Sequence, residues 1–79
     1  MNYERRFGIF IKAERQKSGM RYVDFARKLG ISHTTLSRLE NSEQSVTLRT
    51  LQMILQRLHV SLADVFGDDE VARRHGRRG

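Results

Sequence analysis

The sequence predicts an all-α domain, and three observations carry that expectation. Apolar residues recur at three- and four-residue spacing, as in Phe7, Phe10 and Ile11 with Tyr3 one turn earlier. The stop residues Gly19, Gly30 and Asn41 fall eleven residues apart and cut the chain into short segments. No stretch sustains the alternation that a half-buried strand needs.

Each helix follows from its own caps. The first runs from about Asn2 or Glu4 to Ser18, with Gly19 as a left-handed stop. A short second helix, about Tyr22 to Leu29, is expected to bury Val23, Phe25, Ala26 and Leu29 and to stop at Gly30. Ser32 caps a third helix running to Glu40, and Asn41 tolerates the left-handed conformation that ends it. After a polar loop, Thr47 caps a fourth helix whose inner face is Leu48, Leu51, Ile54, Leu55 and Leu58, and His59-Val60 breaks it. Ser61 and Asp64 then match a capping box opening a fifth helix, which buries Leu62, Val65 and Phe66 and stops at Gly67. Met20 and Met53 fall on inner faces or helix junctions. The domain therefore occupies residues 1–67, and 68–79 form a flexible basic tail with only Val71 and Ala72 to bury.

Composition bounds the function. Seventy-nine residues at 38% hydrophobic allow one small core. The absence of cysteine removes both a disulfide staple and a thiolate metal site. No apolar run approaches the ~20 residues that cross a bilayer, and Met-Asn-Tyr-Glu-Arg-Arg is followed by no signal-peptide core, so a cytoplasmic protein is expected. His33, His59 and His75 are too scattered to hold a metal. Glu40, Asp64 and His33 lack a nucleophile motif or glycine-rich phosphate loop beside them, so no enzyme, cofactor or small-molecule ligand is expected.

The net charge of +6, with arginine supplying 12 of 15 basic residues, points to a polyanionic partner. Membranes and acidic proteins also attract cations, so charge alone leaves those open. The third helix is more specific. At ~100° per residue, His33, Ser37, Thr34 and Arg38 lie within about 140° on one side, opposite Leu36 and Leu39. None of the four is acidic and each makes hydrogen bonds. Arg38 can bond bidentately to guanine, Thr34 and Thr35 can meet a thymine methyl, and His33 can bond to a base or a phosphate. Such a stripe, on a helix held up by its neighbour, fits the major groove of double-stranded DNA.

Together these residues resemble the lambda-repressor-like, or Cro/phage-repressor type, helix-turn-helix family over about residues 7–67. The likeness rests on Arg15-Gln-Lys-Ser-Gly19, Phe25-Ala26 followed by Leu29-Gly30-Ile31-Ser32, Leu39-Glu40-Asn41, and Leu58-His59-Val60-Ser61-Leu62-Ala63-Asp64-Val65-Phe66. The resemblance implies a compact five-helix domain with its helix-turn-helix at helices 2 and 3. It implies base reading by His33, Thr34, Ser37 and Arg38, with Asn41 and Arg49 near the DNA backbone, where Arg21, Tyr22 and Thr35 are further candidates. It also implies an ion pair between Arg15 and Glu40 that locks the reading helix; the alternative is that both are solvated surface charges.

The chain departs from the family pattern at four places. Arg21 and Tyr22 replace the usual Ser/Thr-Gln at the start of helix 2, although both can reach a phosphate. Ser42 replaces a glycine and Val46 a proline, which loosens that loop, and Glu43 weakens the local positive field.

A domain this small covers few base pairs, so a homodimer on a two-fold operator is expected, acting most simply as a repressor by occlusion. Leu58, Val60, Leu62, Val65 and Phe66 are the candidate dimer surface unless the monomer core consumes them. Two other roles share the fold: a small controller-type activator, and an antitoxin that binds a partner toxin and represses its own operon. The tail arginines 73, 74, 77 and 78 are either an arm that follows phosphates or a solvated end.

Overall fold

The structure is a computed structural model and describes residues 2–67; the tail predicted over 68–79 lies outside the described residues. Five helices fill it, and no strand occurs among the described residues. They are α1 (Tyr3–Ser18), α2 (Tyr22–Leu29), α3 (His33–Glu40), α4 (Leu48–Leu58) and α5 (Leu62–Phe66). No described helix is long and apolar enough to cross a membrane.

The caps are made by short polar side chains. Asn2, Ser32, Thr47 and Ser61 each accept a bond from the amide three residues on, satisfying a donor the first helical turn leaves free. At α5 the Asp64 carboxylate also accepts from the Ser61 amide at 2.7 Å, completing the capping box. Arg21 opens α2 without a side-chain cap bond.

Phe7 and Ile11 of α1, Phe25, Ala26 and Leu29 of α2, and Leu36 and Leu39 of α3 meet in one core. Ile54 and Leu55 of α4 and Val65 of α5 close it. α1 packs against α2, α3 and α5, while α2 also packs against α3 and α4. Phe10, Leu51, Met53, Leu58, Val60 and Phe66 surround this centre half-buried.

Several expectations need correcting. Leu48 is 83% exposed, so the inner face of α4 begins one turn later, at Leu51. Val23, Leu62 and Met20 are exposed as well. Helical periodicity shows which residues share a face, not how far along the helix a neighbour covers it. Asn41 keeps φ −93°, and the left-handed position falls on Ser42 at φ 59°. His59 makes the corresponding turn after α4, at φ 58°.

Candidate nucleic-acid interface

α2 ends where Gly30 turns left-handed at φ 80°, a conformation costly to residues with a β-carbon. The amides of Gly30 and Ile31 bond back to the Arg27 and Ala26 carbonyls at 3.0 and 3.1 Å. Ile31 tucks against the core, and Ser32 turns the chain into α3. The Ser32 hydroxyl accepts from the Thr35 amide at 3.1 Å and donates to the Thr35 hydroxyl at 3.0 Å. Thr35 is thereby drawn into the cap and stands half-buried.

α3 divides as its residue types require. Leu36 and Leu39 are buried, whereas His33, Thr34 and Arg38 are exposed and Ser37 is half-buried beside them. Its far end is tied off by three backbone bonds, from Asn41 to Ser37, Ser42 to Leu39 and Glu43 to Arg38.

A second set of contacts fixes the helix from behind. Arg15 Nε donates to Glu40 Oε2 at 2.7 Å and Nη2 donates to Oε1 at 3.1 Å, a two-pronged pair. Glu40 keeps 7% of its side chain exposed and Arg15 21%, so water screens the pair little. The hydrogen bond to Glu40 holds the Arg15 guanidinium above its usual range, and the Glu40 charge adds to it against a partial loss of hydration. The same guanidinium lies over the Tyr22 ring, 4.9 Å from its centre. One arginine of α1 thus joins the start of α2 to the end of α3.

The remaining residues sit at separate helix ends. Arg21 is exposed and donates to Asp24 at 2.8 Å, so a phosphate would have to draw it from that carboxylate. The ring of Tyr22 is half-buried under Arg15. Asn41 and Arg49 are exposed, at the end of α3 and in the first turn of α4. Of the suggested dimer residues, Val65 is buried within the single chain, Leu58, Val60 and Phe66 pack on the core, and Leu62 is 48% exposed.

Two supporting residues escaped sequence reasoning. Gly8, mid-helix in α1, abuts the Leu39 carbonyl with no room for a β-carbon. A glycine inside a helix with no capping task was the available signal. Arg57 of α4 donates to the Lys28 carbonyl at 3.4 Å and packs over Gly30, where a β-carbon would meet its guanidinium at 3.2 Å. Nothing in the local sequence marks it. No cluster of His, Asp or Glu among the described residues could hold a metal ion.

The family model described as helix-turn-helix matches residues 11–65, spanning α2, α3 and the helices that brace them. The chain belongs to the lambda-repressor-like, Cro/C1-type helix-turn-helix family. It is 38% identical over 61 residues to the antitoxin PezA of Streptococcus pneumoniae, covering 77% of this chain and 39% of that relative. Similarity to the antitoxin HipB of Escherichia coli K12 is 38% over 52 residues, or 66% of this chain and 59% of HipB. The chain therefore spans less than two thirds of these relatives. No solved structure matches it.

Proposed function

We propose that this chain is a DNA-binding transcription regulator, which binds a two-fold operator as a homodimer and represses transcription by occluding a promoter. The observation that carries the reading is the outward strip of α3, with its back held by Leu36, Leu39 and the Arg15–Glu40 pair. His33, Thr34, Ser37 and Arg38 read base edges from it. Arg21, Asn41 and Arg49 take phosphates, and Tyr22 and Thr35 approach the backbone less directly, being engaged by Arg15 and Ser32. A dimer doubles the number of base pairs read and matches operator symmetry to protein symmetry. The test is a nuclease footprint on the DNA upstream of the chain's own gene. Two protected half-sites about one helical turn apart support the reading. Protection that Arg38→Ala leaves unchanged at every base pair overturns it.

A second reading is favoured by the relatives' names. PezA and HipB are antitoxins, so this regulator would also clamp a toxin and repress the operon encoding both. Co-expression with the product of the adjacent gene tests it: a stable complex that binds the operator more tightly than the regulator alone supports this role.

A further inference from the structure

Leu48 is an anomaly in a chain with so small a core. It is 83% exposed at the first position of α4, beyond the exposure of any other large apolar side chain among the described residues. Close by in the same helix, Leu51 lines a crevice of about 90 Å³, walled by Tyr3, Phe7, Val46 and Phe66, with Glu4, Gln44 and Ser45 at its polar side. A water occupies ~30 Å³ in the liquid, so the crevice holds about three waters or one leucine-sized group. Tyr3 and Phe66 touch edge to face in its wall, with ring centres 5.6 Å apart. The chain thus carries an exposed apolar knob beside a crevice with four apolar or aromatic walls and a polar rim.

The charges flanking the two features are opposite. Arg49 follows Leu48 and is exposed. Glu4 stands at the crevice rim, where it accepts a bond from Ser45 at 2.8 Å. A two-fold axis between two copies makes each surface patch its own partner, so one self-complementary patch suffices.

We infer that a second copy of this chain covers this face, with Leu48 of each protomer seated in the partner's crevice and Arg49 of each paired with Glu4 across the two-fold axis. This rests on the homodimer reading above and names its surface. The contact lies at the start of α4 and engages the end of α5 through Phe66. Leu62 stays at its margin.

The experiment measures self-association of the full chain by sedimentation equilibrium without DNA, so that any phosphate contact of Arg49 plays no part. Leu48→Asp, at an exposed position, is expected to keep the helical circular dichroism and to weaken dimerisation at least about tenfold, as for a central apolar anchor. Glu4→Arg and Arg49→Glu should each weaken it, and the two together should restore most of the loss. A dimer indifferent to Leu48→Asp, or no recovery in the double variant, overturns this surface but leaves the homodimer standing. A wild-type chain that is monomeric alone and binds the footprinted DNA as one copy overturns both.

Discussion

Gly8 of α1 and Leu39 of α3 are separated by nothing more than a hydrogen atom: the bare Cα of one faces the carbonyl oxygen of the other. The Glu40 carbonyl and the Ser42 hydroxyl lie just beyond, at 3.2 and 3.3 Å from where a β-carbon would stand. The end of α3 is therefore set by the backbone of α1. In an ordinary helix Gly→Ala would gain about 1 kcal/mol from propensity. Here the backbone cannot move aside cheaply, and overpacking costs about 1–3 kcal/mol. Gly8→Ala is expected to lower the urea midpoint, whereas a rise would mean that the two helices separate freely.

The Arg15–Glu40 pair is the next constraint. Hydrogen bonds to charged groups contribute about 1.5–3 kcal/mol when sheltered from water, and the pair is largely sheltered. Glu40→Gln and Arg15→Lys should each destabilise the domain. A double-mutant cycle should return a coupling of about 1–3 kcal/mol. A coupling near zero would make the contact incidental.

DNA contacts should separate by kind. Arg38→Ala is expected to cost about 1–3 kcal/mol and to relax preference at one base pair. Arg21→Ala should weaken all sequences alike and reduce the salt slope by about one. Binding titrations against a set of single-base operator variants at two salt concentrations distinguish the two patterns.

His59 ends α4 at φ 58°, where a β-carbon is strained. Glycine removes that strain but loosens the unfolded chain, so His59→Gly should stabilise by a net of about 0.5–1 kcal/mol. Thermal unfolding would shift upward by a few degrees, and a fall would assign the imidazole a contact of its own.

Acid should weaken two surface ties. The Ser45 hydroxyl holds the Glu4 carboxyl below its ordinary 4.5. The bond from Arg21 holds Asp24 below 3.8 against desolvation, with help from the charges of Arg21 and Arg27. Both values are lower in the folded state, so the unfolded chain takes up protons first. Their contribution is complete above the unfolded values and is lost as pH falls through the folded ones. The melting difference between wild type and Ser45→Ala should be constant above about pH 5 and shrink below about pH 4. A difference that persists at pH 3 would place the Ser45 effect elsewhere.

Much of the scaffold was legible because its signals are local. Ser32, Thr47 and Ser61 act on amides three residues away, and Gly30 must turn left-handed wherever a helix stops so abruptly. The outward strip followed from helical angle alone. Apart from the left-handed turn that fell on Ser42 rather than Asn41, the failures depend on residues distant in sequence. Leu48 and Val23 look internal by period, but no neighbouring helix reaches them. Arg57 serves the end of α2 from 29 residues away. The stacking of Arg15 on the Tyr22 ring likewise joins two helices that no local pattern links.

The joint at Arg15 has a consequence for how such a regulator acquires new targets. Since α3 is gripped through Leu36, Leu39 and Glu40, the side chains at 33, 34 and 38 carry almost none of the packing. Those positions can be exchanged with little effect on folding, so under the proposed function a few mutations there suffice to redirect the chain to another stretch of genome. Innovation in such a protein is cheap at the rim and forbidden at the hinge.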